Sequence, residues 1–489
     1  MLKLLLALGA GTTLAGAFAP YGFYPLAVVS MAVLFALWRD VTPARGAALG
    51  GCYGIGMFGH GVWWVQVSIH QFGLPLYAFS ISMTVLFVLM LALFIALAGY
   101  TIARFPVRSE TLRLLVVMPA VWVAGEWLRG WLFTGFPWLL LGYSQTDSWL
   151  AGFAPVFGVH GVSLAVVMLA ACLVLVWSER RARAGLAMLV IAGGGWGSAQ
   201  ITWTAPEGES RAVALVQGAV PQAIKWRGEF RARSLELYEA LSAPHWGRDL
   251  VLWPETAVPA FPDEIPDTLV RLGKLASRHG TALLVGIPTG DRHTGPYFNS
   301  VVLLNTDHQR YDKHHLVPFG EYLPFDRWLR PALNFLAIPM SSFSPGPSMQ
   351  MPLRYGALRL GVSICYEDAY ASEIIKSLPL ANLLVNVSDD AWFGDTIAPH
   401  QHLQISRMRA LEAGRYLLRA TNTGISAIIN ERGKVIARSP QFESFVLTGH
   451  AVARTGATPF VRWGHAPLLL VLALALIAVW RPVRQLAAE

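Results

Sequence analysis

Cysteine is nearly absent from this chain of 489 residues, which holds only three: Cys52, Cys172 and Cys365. The first two fall inside apolar runs, so the polar part of the sequence has a single thiol and no disulfide partner for it. Charge is scarce as well. Asp, Glu, Lys and Arg make up 14% of the residues, against 54% hydrophobic ones, whereas a soluble domain carries about a quarter charged residues. That shortfall excludes an ordinary soluble protein over the whole length. A third scarcity is local: the loops near 20–23, 68–76 and 131–158 contain no Lys or Arg, although the net charge is +8. The positive charge gathers in the alternate loops between apolar runs, the pattern of membrane topology and not of nucleic-acid binding.

Eight stretches approach the roughly 20 apolar residues that a bilayer crossing needs: 3–19, 24–38, 46–67, 77–100, 113–130, 159–177, 184–203 and 466–480. One set of loops carries Lys3, then Arg39 and Arg45, Arg104, Arg108 and Arg113, Arg180, Arg181 and Arg183, and finally Arg481 and Arg484. Basic loops stay on the cytoplasmic side. Both termini are therefore expected there, and the long segment between the seventh and eighth spans is expected on the opposite side, which in a bacterium is the periplasm. Lys3 and the apolar run ending in Ala15-Gly16-Ala17 have signal-peptide character, but removal of that span would unbalance the charge alternation, so it is read as a retained helix. The expected organisation is a seven-helix membrane domain over 1–204, a catalytic domain over 205–460, and an eighth helix with a cytoplasmic tail over 461–489.

Gly46, Gly50 and Gly54 recur every four residues in the third span, and Gly193 and Gly197 do so in the seventh. Small residues at this spacing let helices approach closely in lipid. Glu126 stands in the fifth span with Arg129 one turn on, consistent with an interfacial ion pair. The loop from Trp131 to Phe157 is aromatic, as at a membrane–water interface.

From residue 211 the periodicity changes. Short β-branched or aliphatic runs at 211–219, 250–253, 281–287, 299–304, 358–365, 382–387, 424–430, 433–438 and 444–450 alternate in part with helical stretches near 227–243, 264–278 and 398–414. This predicts an α/β domain, and sites in such domains collect at the carboxyl ends of strands. Three strand ends are chemically rich: Trp253-Pro254-Glu255, Ser363-Ile364-Cys365 and Asn386-Val387-Ser388-Asp389-Asp390. A fourth segment runs Tyr311-Asp312-Lys313-His314-His315 to Gly320-Glu321. A cysteine nucleophile needs a base to take its proton and a fixed cation to hold the oxyanion formed on attack. Glu255, Lys313 and Cys365 supply these types, and Glu321 is placed to orient the lysine. His400-Gln401-His402 has no cysteine or carboxylate cluster to complete a metal site; neither metal nor cofactor is expected.

Leu-Trp-Pro-Glu255, Tyr-Asp-Lys313 and Ser-Ile-Cys365-Tyr-Glu367, in that order, resemble the Glu–Lys–Cys triad of the nitrilase (carbon–nitrogen hydrolase) superfamily. That resemblance covers about 211–450 and implies an αββα sandwich. More narrowly, the whole chain resembles the apolipoprotein N-acyltransferase family. The strings are Val216-Gln217-Gly218 through Pro221-Gln222 to Lys225-Trp226, His315 to Glu321, Pro339 to Phe343, Asp390-Ala-Trp-Phe-Gly394 and Arg407 to Glu412. The family sets a nitrilase-like domain on eight membrane helices. It implies acyl transfer from a phospholipid, through a thioester on Cys365, to the amino group of a diacylated apolipoprotein. Glu255 would be the general base, and Lys313, positioned by Glu321, the oxyanion cation. Trp226, Tyr366 and Glu367 match positions associated with activity, and Asn299 is expected to give polar support. The expected partners are the phospholipid donor, the lipoprotein acceptor and the bilayer. A membrane-anchored amidase of the same fold is the alternative. Tethering favours the transferase, because anchoring enzyme and lipids in one leaflet raises their local concentration. Apolar loops around Trp226 and Phe343 could keep water from the thioester.

Overall fold

The computed structural model describes residues 1–73, 75–107, 109–176, 181–291, 295–306, 309–324 and 342–480. Arg108, Arg180, Arg481 and Arg484, used above for topology, and residues 339–341 of one family string lie outside this set. The chain forms two compact units. One comprises Met1–Gln66, Tyr77–Thr202 and Arg462–Glu489; the other comprises Val67–Leu76 and Trp203–Val461.

The first unit is helical. Among the described residues three helical segments are long and apolar enough to cross a membrane, Tyr77–Arg104, Glu110–Arg129 and Trp149–Val176, and shorter apolar helices occupy Leu2–Ala17, Pro25–Leu37 and Ala466–Val479. The helix Pro43–Gly61 lies against Tyr77–Arg104 through its small residues: a Cβ on Gly46 would meet Gly99 O at 2.5 Å, and one on Gly50 would meet Ile95 O at 2.4 Å. The pair in the other glycine-rich helix behaves differently. A Cβ added at Gly193 or Gly197 would meet nothing within 4 Å, whereas one on Gly195 would meet Trp149 O at 2.7 Å. Glu126 and Arg129 both hold the backbone of the loop that follows them. Oε1 of Glu126 accepts the Leu141 N–H at 2.8 Å, and Nη1 of Arg129 donates to Phe136 O at 2.7 Å and Trp138 O at 2.6 Å. The loop's aromatics divide: Trp131, Phe133 and Trp149 are exposed, whereas Trp138 and Tyr143 are buried.

Among the described residues, the second unit is built on two six-stranded sheets. The first contains β1 (Thr204–Gln217), β2 (Leu250–Leu252), β3 (Ala282–Gly290), β4 (Tyr297–Leu303), β5 (Arg310–Asp312) and, at its edge beside β1, β12 (Phe445–Gly456). The second contains β6 (Leu353–Tyr355), β7 (Leu358–Ile364), β8 (Leu383–Ser388), β9 (Leu417–Thr421), β10 (Ala427–Ile429) and β11 (Val435–Arg438), in the order β11-β10-β9-β8-β7-β6. Strands β1, β2 and β3 run parallel, as do β7, β8 and β9. Side chains alternate across each strand. Val213 and Leu215 of β1 enter a core shared with Leu360, Val362, Ile364 and Val385 of the other sheet, while Ala214 and Val216 face Leu235, Tyr238 and Leu272 on helices Gly228–Ser242 and Pro266–Arg278. The outer face of the second sheet is covered by helix Ala398–Ala413 through Leu403, Ala410 and Ala413. The sheets are thus buried on both faces, which is why their strands read as near-continuous apolar runs. The architecture is an αββα sandwich.

Three strands escape the expected list. β5 and β6 have only three residues each, and β9 carries Arg419, fully buried, in the middle of an apolar run.

Candidate active site

The parallel strands of both sheets end at a common locus. β2 ends at Leu252 and leads through Trp253-Pro254 to Glu255; β7 leads directly to Cys365; β8 leads to Asp389; β5 leads to Lys313. Glycine at 286 makes room for this: a Cβ there would meet Pro254 O at 2.1 Å and Glu255 Cα at 2.8 Å.

Glu255, Lys313, Glu321 and Asn299 form one buried cluster. Nζ of Lys313 donates to Oε1 of Glu321 at 2.8 Å and lies 3.5 Å from Oε1 of Glu255. The Asn299 amide bridges the two carboxylates, donating to Glu255 Oε1 at 2.7 Å and Glu321 Oε1 at 3.1 Å. The second oxygen of Glu321 accepts the Val317 N–H at 2.8 Å, and that of Glu255 accepts the Asp389 N–H at 2.8 Å. Burial and the neighbouring carboxylates Glu321 and Asp389 push the Glu255 carboxyl above its ordinary value, with Lys313 opposing. Burial works against the charge on Lys313, but Glu321 and Glu255 outweigh it and keep the ammonium protonated.

Cys365 is buried and opens a short 3-10 turn, Cys365–Ala369, with φ of +51°, a left-handed backbone that a non-glycine residue rarely holds. Burial and the charge on Glu255 raise its thiol well above the usual range, while Lys313 draws it down. These surroundings favour the thiol over the thiolate.

Glu367 holds this turn. Its carboxylate accepts the Ile364 N–H at 2.7 Å, the His314 N–H at 2.7 Å, the His315 N–H at 3.0 Å and the Tyr311 hydroxyl at 3.0 Å. Burial raises its pKa to about 7 against the pull of those N–H donors. One carboxylate therefore joins the Cys365 turn to the segment that bears Lys313. Tyr366 is half-buried and lies edge-on to Tyr370, with ring centroids 5.2 Å apart. Trp226 is 48% exposed, but the adjacent Lys225 is buried: it pairs with Asp389 and donates to Glu255 O at 3.1 Å.

The carbon–nitrogen hydrolase model matches residues 200–460, and that of the apolipoprotein N-acyltransferase N-terminal domain matches 10–173. Proteins named apolipoprotein N-acyltransferase from Methylococcus capsulatus, Coxiella burnetii and Nitrosomonas europaea are 45%, 42% and 43% identical to the chain. Those matches span 96%, 96% and 97% of this chain and 94%, 98% and 96% of the relatives. The chain belongs to the apolipoprotein N-acyltransferase family.

Several residues of this family member's site were not singled out from the sequence. Lys225 and Asp389 sit inside quoted strings, hidden by their more conspicuous neighbours Trp226 and Asp390. Behind the nucleophile lies a fully buried ionic network. His402 bridges Asp368 at 2.8 Å and Asp390 at 3.0 Å, and Arg419 reaches Asp390 at 3.0 Å and Asp368 at 3.3 Å. The sequence offered one signal for it, the carboxylate three residues after the cysteine. His402, considered above beside His400 as a metal ligand, is taken up by these two aspartates.

Proposed function

We propose that the protein transfers an acyl chain from a phospholipid to the α-amino group of the N-terminal S-diacylglyceryl-cysteine of an apolipoprotein, by two half-reactions through a thioester on Cys365. Glu255 removes the thiol proton, and the thiolate attacks the ester carbonyl of the phospholipid. Lys313 and backbone N–H groups at the start of the Cys365 turn hold the tetrahedral oxyanion. Collapse breaks the ester C–O bond, and Glu255 returns the proton to the departing lysophospholipid hydroxyl. In the second half-reaction the lipoprotein amine attacks the thioester, Glu255 takes its proton, and the thiolate leaves and is reprotonated. Glu321 and Asn299 position Lys313 and Glu255, Glu367 holds the nucleophile's turn, and Trp226 and Tyr366 line the approach.

The observation that carries this reading is the buried Glu255–Lys313–Glu321 cluster, electrostatically coupled to a thiol in a strained turn, in a member of this family. The membrane setting belongs to the same proposal. Eight spans in the bacterial inner membrane, both termini in the cytoplasm and a periplasmic catalytic domain over 205–460 are the reading that the charge alternation supports, with the catalytic domain on the side of the membrane from which both lipid substrates are reached.

The test is transfer from phospholipid to a synthetic diacylated lipopeptide, followed by mass spectrometry of the peptide. The full chain should add one acyl group at the amine, and Cys365→Ala should add none. Hydrolysis of a small amide by the wild type, without peptide acylation, would instead make it an amidase.

A further inference from the structure

Lys225 takes no part in the mechanism above, yet both bonds of its buried ammonium lead to Glu255. Nζ pairs with the Asp389 carboxylate and donates to Glu255 O at 3.1 Å. Asp389 in turn gives its backbone N–H to Oε2 of Glu255 at 2.8 Å. One lysine therefore grips the main chain of Glu255 directly and its carboxylate through a single neighbour.

The carbonyl it grips belongs to the peptide that leads into Thr256, whose φ of +46° is left-handed. A β-branched residue is a genuine outlier in that region. Such strain persists only where the surroundings over-determine it, and the Lys225 bond is one of those constraints. The lysine is itself held in place. Just beyond β9, the Asn422 amide donates to Asp389 Oδ1 at 3.2 Å and to Val220 O at 2.8 Å, and Asn422 Oδ1 accepts the Val220 N–H at 3.0 Å. Asn422 thus joins Asp389 to the chain that enters the Lys225 helix, Gln222–Lys225. A buried ion pair is weak grounds for stability, because well-packed apolar residues serve as well. What sets this pair apart is the ammonium's second bond, to the strained peptide after Glu255.

We propose that Lys225 is a positioning residue for the acyl transfer: paired with Asp389, its ammonium pins the Glu255–Thr256 peptide and so fixes the orientation in which Glu255 meets the Cys365 thiol. This rests on the reading of Glu255 as the base of thioester formation. Lys225 acts only through Glu255 and touches neither substrate nor sulfur. Its removal should therefore slow the chemical step without weakening the binding of lipid.

The experiment is single-turnover thioester formation in the full-length protein, read by intact mass over a range of concentrations of one phospholipid in detergent micelles. Lys225→Met alone strands a buried carboxylate, so the deciding variant is Lys225→Met with Asp389→Asn, which leaves no unpaired charge. Its thermal midpoint should stay near that of the wild type. Its rate at saturating lipid should nonetheless fall by about tenfold to 10²-fold, the cost of a misplacement of about 1 Å, with the half-saturating lipid concentration unchanged. Asp389→Asn alone, which keeps the Lys225 bond to Glu255 O, should retain more of the rate. Residues that act through one another are not additive, so in a Glu255→Gln background the same two substitutions should cost nothing further. A rate that recovers with the midpoint, a double variant no slower than Asp389→Asn, or an equal loss with and without Glu255 overturns the proposal. Iodoacetamide alkylation of Cys365, which needs no lipid, separates the two readings. If the wild type forms no thioester, that reading falls. The positioning role then stands if the paired substitutions change the alkylation rate only where Glu255 is present, and falls if they change it equally in both backgrounds or not at all.

Discussion

The backbone N–H of Asp389 reaches Oε2 of Glu255 at 2.8 Å, so the residue after β8 in one sheet holds the carboxylate that follows β2 in the other. Neither side chain is in a position to drift, because buried Lys225 ties Asp389 to the Glu255 carbonyl. The Glu255 carboxylate is thus fixed by the joint between the two sheets.

That joint predicts a coupled stability effect. Breaking a buried ion pair by removing one partner costs about 3–5 kcal/mol, because the other charge is left uncompensated. Lys225→Met should lower the thermal midpoint of the protein in detergent, and Lys225→Met with Asp389→Asn should recover most of the loss. Independent, additive losses in the double variant would show that the pair does not act as one unit.

As the proposed general base, Glu255 should set the pH dependence of acylation. Its pKa lies above the ordinary glutamate value because of burial, then of Glu321 and Asp389. The base acts only when ionised, so the acylation rate should rise with pH along a limb displaced above the normal carboxylate range. Glu255→Gln should remove that limb and slow thioester formation by about 10²–10⁴-fold, the usual worth of a general base.

How much of this was legible in the sequence depends on whether a residue advertises itself locally. Cys365 follows the apolar strand β7 directly and Glu255 follows β2 after Trp253-Pro254, so the change from aliphatic residues to a polar group marks them; Lys313 follows the polar Arg310-Tyr311-Asp312 and shows itself only by its place beside two histidines. Sheets covered by helices are legible in runs that are apolar on both faces, as β1 shows with Val213 and Leu215 inward and Ala214 and Val216 outward, whereas the αββα sandwich was implied only by the family resemblance. Arg419 hid its own strand, since a charge inside a short apolar run reads as a break; it is buried only because Asp368 and Asp390 compensate it from elsewhere in the chain. Lys225 looks like an ordinary polar residue until the fold brings Asp389 to it. Gly195, not its neighbours Gly193 and Gly197, makes the close helix contact, because which face of a helix is covered is decided by its partner.

Lys313 is assigned to the oxyanion and Glu321 to its position, and the two should differ in degree. Removing a direct oxyanion donor costs about 10²–10³-fold, so Lys313→Met should lose that much turnover with little change in KM. Glu321→Gln leaves the ammonium in place beside Glu255 and should lose about one of those factors of ten. Equal losses in both variants would place Glu321 in direct contact with the reacting atoms.

The network behind the nucleophile predicts a stability change in mild alkali. Burial and Arg419 oppose the charge on His402, but Asp368 and Asp390 overcome them and raise its pKa from 6.5 to about 9. The protonated imidazole therefore contributes stability that is complete below pH 6.5 and lost as the pH climbs through 9. The contribution is about 3 kcal/mol for a shift of this size. The thermal midpoint should fall across that window, and His402→Gln should flatten the fall.

The most direct measurement is the mass of the intact protein after incubation with vesicles of a single defined phospholipid and no lipoprotein. The folded wild type should gain the mass of one acyl chain on Cys365, lose it to hydroxylamine, and release an equal amount of lysophospholipid. Cys365→Ala should gain nothing. A folded wild-type protein whose Cys365 stays unmodified while the lipopeptide is nonetheless acylated would contradict the thioester account.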